Sequence, residues 1–205
     1  LLPWAHKVIF AEKIHDESYT HFMYLEDDIE ITPGNVAYWN QAIQILRPAG
    51  LYPSFLRVEW SESDQDWMST DILKPIQISN TPTLRRANSN IHYINLSNPY
   101  QAMFYYDRPL MVEHVNSVTF DITKFGHIER IDSNPDWPGG GVAERANFAQ
   151  TFMNVPQGFT SRNVVPYISN LGLIDPNCYV RHLTNKYANQ KSSNGFAQLP
   201  ARQII

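Results

Sequence analysis

Phe22, Met23, Tyr24 and Leu25 form an apolar run that leads directly into three carboxylates, Glu26, Asp27 and Asp28. Ile29-Glu30-Ile31 follows, and then Thr32-Pro33. A short apolar run of this kind reads as a buried strand. Threonine before proline reads as a helix N-cap with proline in the first turn. The carboxylates are thus expected at the carboxyl end of a strand, in its connection to a helix, where open α/β sheets bind ligands. Strand side chains alternate, so Glu26 and Asp28 point to one side and Asp27 to the other unless the chain turns. Two carboxylates near one point suit a hard divalent cation, Mg²⁺ or Mn²⁺. The other reading is an ordinary acidic loop, favoured by the N-terminal dipole of the following helix.

The rest of the chain alternates helical and extended patterns. A helix is expected from His6 to Ile14, with Lys7, Glu12 and Lys13 on its polar side. The helix after Thr32 carries Val36, Trp39, Ile43 and Leu46 at helical spacing and ends at Pro48 and Gly50. Phe55 to Trp60 reads as a strand, and residues 61–90 as a polar, irregular excursion. Strands are expected in Asn90–Leu96 and Ala102–Tyr106, with a helix opening at Asp107-Arg108-Pro109 and running to about Asn116. Gly139-Gly140-Gly141 leads into a helix with Ala146, Ala149 and Phe152 on one side, and Arg162–Ile168 reads as a further strand. This is an α/β pattern. With 205 residues, 43% of them hydrophobic, and no linker, it reads as one domain over residues 1–205.

Composition narrows the possible functions. The formal net charge of −4 argues against nucleic acid, which calls for a basic patch. A phosphate ligand would need local neutralisation by a metal or a few arginines. One cysteine, Cys178, excludes an internal disulfide framework or a multi-cysteine zinc site and suits a cytoplasmic setting. No run approaches the roughly 18 apolar residues of a membrane span. The first residues lack both an initiator Met and the features of a signal peptide, as expected of a segment of a longer protein.

Tyr24-Leu25-Glu26-Asp27-Asp28-Ile29-Glu30-Ile31, followed by a helix carrying Tyr38-Trp39, resembles the metal-binding acidic motif of GT-A-fold glycosyltransferases. Its EDD form is similar to that of the inverting Golgi N-acetylglucosaminyltransferases. The resemblance implies a mixed sheet flanked by helices, a metal motif at 26–28 and an acceptor and catalytic part over about 54–190. It implies a nucleotide-sugar donor, Mn²⁺ or Mg²⁺, and a carbohydrate or other hydroxyl-bearing acceptor. Asp28 would ligate the metal, with Glu26 or Asp27 touching the ribose or a metal-bound water. Only 25 residues precede Glu26, so the chain is expected to hold the C-terminal two-thirds of the fold and to lack most of the nucleotide-binding part.

Inverting transfer needs a base for the acceptor hydroxyl and a stabilised leaving diphosphate. By the resemblance, Glu144, opening a helix after the glycine run, is the base; a helix-start glutamate favoured by the dipole is the plain alternative. Arg145 could pair with the acceptor or with a carboxylate. By the resemblance too, His182 completes the metal shell, since neutral imidazole is a good ligand. Lys186 is a counter-charge for a diphosphate. Arg57 and Glu59 share one face of a strand, either recognising substrate hydroxyls or forming an ion pair. Asp107 reads as a helix cap and stands as an alternative base. Tyr100, Tyr105, Tyr106, Trp60 and Trp67 suit sugar stacking or a core. Two other functions remain open: a metal-dependent phosphoester hydrolase, for which Asp64, Asp66 and Asp71 would make a second half-site, and a non-catalytic, ion-stabilised carbohydrate-binding domain.

Overall fold

The computed structural model describes residues 2–121, 142–190 and 195–205. The chain divides into two compact units, each built from two separate stretches: Leu1–Glu26 with Ala102–Met153, and Asp27–Gln101 with Asn154–Ile205. The chain passes between the units in turns and bends at 26–27, 101–102 and 153–154, and no change of composition marks these boundaries.

In the first unit, helix α1 (Ala5–Lys13) precedes strand β1 (His21–Leu25), which pairs antiparallel with β8 (Met103–Asp107). Helix α3 (Arg108–Val115) starts where β8 ends: Asp107 accepts from the Leu110 amide at 3.2 Å, and Pro109 lies in the first turn. Helix α4 spans Val142–Phe148. Phe104 and Tyr106 stack at 4.8 Å, and Phe104 meets His114 edge-on at 5.5 Å. His114 is a core residue, with burial and the charge of Lys7 holding its ring neutral. The Arg108 guanidinium donates to the carbonyls of Ile14, Asp16 and Tyr19, fixing the turn after α1.

In the second unit, helix α2 (Pro33–Leu46) opens as its sequence predicts. Thr32 accepts from the Asn35 amide, and the Asn35 side chain accepts from the Thr32 amide at 2.8 Å. Trp39, Ile43 and Leu46 are buried. After Gly50, in the left-handed region at φ 72°, come β3 (Tyr52–Pro53) and β4 (Leu56–Ser61). One sheet combines β2 (Ile29–Glu30), β4, β5 (Asp66–Ser69), β11 (Tyr179–His182) and β12 (Leu199–Pro200) in the order β12-β5-β4-β11-β2. Its β4–β11 pair is parallel and the others antiparallel. The other sheet runs β10 (Leu173–Ile174), β9 (Asn163–Ile168), β7 (Ile91–Ile94) and β6 (Thr83–Leu84), with β3 parallel to β9. The fold is mixed α/β, with mixed sheets flanked by helices.

The stretch 61–90 is more ordered than its composition implies. Asp66–Ser69 forms a hairpin with β4, with Trp67 directly opposite Trp60, and Thr83–Leu84 pairs with β7. Both are held by their neighbours rather than by their own pattern. The glycine run Gly139–Gly141 lies outside the described residues.

Candidate functional site

Strand pairing brings together residues far apart in sequence. β11 lies antiparallel to β2, with His182 opposite Ile29, and the Leu183 amide donates to the Asp28 carbonyl at 2.8 Å. Asp28, in the turn just before β2, therefore reaches the end of β11, where its Oδ2 lies 3.0 Å from His182 Nε2. On the other side of β11 runs β4, in parallel register with Arg181 beside Val58. This sets Glu59 behind the imidazole, where its Oε1 makes a short hydrogen bond with His182 Nδ1.

Glu59 is fully buried, at 0% exposure, so both its oxygens need partners. Its Oε2 accepts from the amides of Tyr187 at 2.9 Å and Ala188 at 2.6 Å, at the start of helix α5 (Lys186–Gln190). The Tyr187 ring stacks on His182 at 5.6 Å. Asn185, at φ 46°, makes the left-handed turn between β11 and α5, and its side chain accepts from the Trp60 amide at 3.1 Å. His182 is thus fixed along one edge and one face, with Nε2 turned towards a carboxylate that is 29% exposed.

Arg57 and Glu59 share a face, as alternation along β4 requires, but they do not pair with each other. Arg57 makes a bidentate pair with buried Asp71, at 2.9 and 2.8 Å, with its guanidinium 4.9 Å from the Tyr100 ring centroid. Burial works against its charge, and the Asp71 carboxylate outweighs this and holds the guanidinium protonated. Both oxygens of Glu59 and two of the three guanidinium nitrogens of Arg57 are engaged by protein partners, and both side chains are buried, as supports of the site are.

The other predicted residues fall as follows. Asp27 is exposed in the turn, and Lys186 is exposed at the start of α5, its Nζ 5.0 Å from the Tyr187 ring. Glu26 belongs to the first unit, where its amide donates to the Ala102 carbonyl and its Oε1 accepts from Asn147 at 2.7 Å. Glu144 lies in the first turn of α4, half-buried, in that same unit. Asp107, there too, caps α3. The side chain of Arg145 lies outside the described residues. Asp71 and Asn147 are the partners that sequence reasoning missed, and the hydrogen bonds they make leave no mark on local sequence.

The donor set can be tested against a metal. Among the described residues, no group of three or more His, Cys, Asp or Glu converges on a metal position; Glu59 and Asp28 lie on opposite edges of the imidazole. Two protein donors, one oxygen and one nitrogen, remain. Their 3.0 Å separation is that of a hydrogen bond and equally that of adjacent corners of an octahedron with arms of about 2.1 Å. Mg²⁺ sites that complete their shells with water and substrate phosphate use as few as one or two protein carboxylates, so Asp28 with His182 beside it has the spacing for such a sparse site. Comparison of the sequence with protein-family models, curated proteins and solved structures gives no match.

Proposed function

We propose that the protein is a metal-dependent glycosyltransferase of the GT-A type, moving a hexosyl or N-acetylhexosaminyl group from a nucleotide-diphosphate sugar to a hydroxyl acceptor with inversion. The observation that carries this reading is Asp28 facing His182 Nε2 while buried Glu59 holds Nδ1. A carboxylate behind an imidazole is the usual way to fix a metal-binding histidine. Asp28 and His182 would hold Mn²⁺ or Mg²⁺, which supplies Lewis-acid stabilisation of the leaving diphosphate. Exposed Asp27 is available to the ribose or to a bound water, and Lys186 offers counter-charge to phosphate. Glu144 takes the acceptor proton as the acceptor oxygen bonds to the anomeric carbon and the bond to the diphosphate breaks.

Calorimetry of the full-length protein with UDP-, GDP- and dTDP-sugars, with and without Mn²⁺, tests the reading. Donor binding is expected only with metal, and Asp28→Ala or His182→Ala should weaken it by at least about tenfold. Glu144→Gln should keep donor binding and lose about 10²–10⁴-fold in transfer rate. Donor binding that ignores Mn²⁺, no binding of any donor, or a product that keeps the donor's anomeric configuration would overturn this reading. Metal-dependent cleavage of a simple phosphoester with no sugar transfer would favour the hydrolase instead.

A further inference from the structure

Side chains of the β12-β5-β4-β11-β2 sheet alternate between two faces. His182 and Glu59 point to one; Arg181 and Val58, their chain neighbours and each other's register partners, point to the other. On that second face lies a cleft of about 550 Å³, a volume within the usual range of small-molecule sites. We propose that this cleft binds a neutral oligosaccharide. The inference does not depend on the transferase reading, because it uses none of that site's side chains.

The floor is aromatic and apolar, made by Trp67, Tyr179 and Val58. Trp67 is braced by Trp60, 5.3 Å away and nearly perpendicular at 71°, so its ring plane is set before any ligand arrives. A fixed aromatic ring beside polar groups suits a molecule with an apolar C–H face and a polar edge, as a pyranose has.

The rim decides the charge of the ligand. It carries two guanidinium groups, Arg181 and Arg202, and two carboxylates, Glu30 and Asp66. Arg202 Nε donates to Asp66 at 2.6 Å, a closed pair. Arg181 is less well matched, with Nη1 3.9 Å from Glu30 and an Nε that has no hydrogen-bond partner among the described residues. The Arg181 side chain is part-exposed and its Nη1 only loosely engaged by Glu30, so its outer N–H groups are placed to donate to a ligand oxygen. The four charges balance, so an anionic or cationic ligand would leave the cleft with an unbalanced charge. Vicinal hydroxyls, which both donate and accept, can serve Arg181 and Glu30 together.

The test is tryptophan fluorescence and indole N–H NMR titration of the full-length protein. The neutral probes are cellohexaose, chitohexaose and maltohexaose, each to about 10 mM, and oligogalacturonate is the anionic probe. At least one neutral probe is expected to saturate. Trp67→Ala and Arg181→Met should each weaken it by about tenfold or more, while Asp28→Ala leaves it unchanged. Because Asp28→Ala removes the transferase's metal ligand, loss of donor binding alongside intact oligosaccharide binding separates the two proposals. Should Trp67→Ala fail to fold, Trp67→Phe and Arg181→Met decide. Failure of all three neutral probes to saturate, binding untouched by Arg181→Met, or binding of oligogalacturonate alone would each overturn the proposal.

Discussion

At the scale of single residues, Glu59 matters through the tautomer it imposes. A carboxylate accepts only, so the His182 Nδ1 facing it carries a hydrogen, and a metal at Nε2 would take the place of any hydrogen that Nε2 shares with Asp28. Glu59→Gln is nearly isosteric, and its carbonyl can still accept from the Tyr187 and Ala188 amides. Its amide NH₂ would then donate to Nδ1, moving the hydrogen to Nε2. Mn²⁺ affinity is expected to fall by about 10–100-fold with little change in circular dichroism, as read by Mn²⁺ titration under electron paramagnetic resonance. Unchanged affinity would show that the imidazole plays no part in metal binding.

At the scale of elements, α2 offers the clearest case of sequence writing structure. Thr32, Pro33 and Asn35 satisfy the first turn locally, so Thr32→Ala should cost about 1 kcal/mol, measured as a lower urea midpoint at unchanged slope. Such elements were legible because their signals lie within a few residues: the cap of α2, the Asp107-Arg108-Pro109 start of α3, and the apolar run of β1. Strands β2, β3, β6, β10 and β12 hold two residues each, too few for any periodicity, and exist only through their partners. β5 was hidden because Asp66–Ser69 sits in a polar stretch and gains its order from the Trp60–Trp67 pair. In the candidate site, Asp28 stood out by its neighbours and His182 by resemblance alone. The contact joining His182 to Glu59 spans 123 positions, and that joining Arg57 to Asp71 spans 14. Nothing in the local pattern of either residue names its partner.

At the scale of the whole molecule, the first unit has an acid-sensitive interior. The His6 ring packs beside Tyr24, Phe10 and Phe104; burial, with the charge of Lys7 adding to it, pushes its pKa down to about 4, and burial moves His114 the same way. A histidine near 6.5 in the unfolded chain then binds more protons unfolded than folded between about pH 4 and 6.5. Stability is therefore complete above that window and falls as pH drops through it. Hydrogen exchange of the β1 and β8 amides should show less protection at pH 5 than at pH 7 after correction for intrinsic rates. His6→Phe should flatten part of that loss, and His114 should account for the remainder. Equal corrected protection at the two pH values would mean that neither ring stays neutral through folding.

The order of the strands also has a consequence for how the protein is made. β9 bonds to β3, β7 and β10, and β11 joins β4 to β2. Both are central strands, and both come late in the chain. A ribosome releases β2, β3, β4 and β7 well before either centre exists, so these strands wait with unpaired edges, the state most prone to pairing with a neighbouring nascent chain. The sheet centred on β9 cannot close until Ile174 has left the exit tunnel, nor the sheet centred on β11 until Pro200 has, and a message broken upstream of the β9 codons yields a polypeptide with no finished sheet in its second unit.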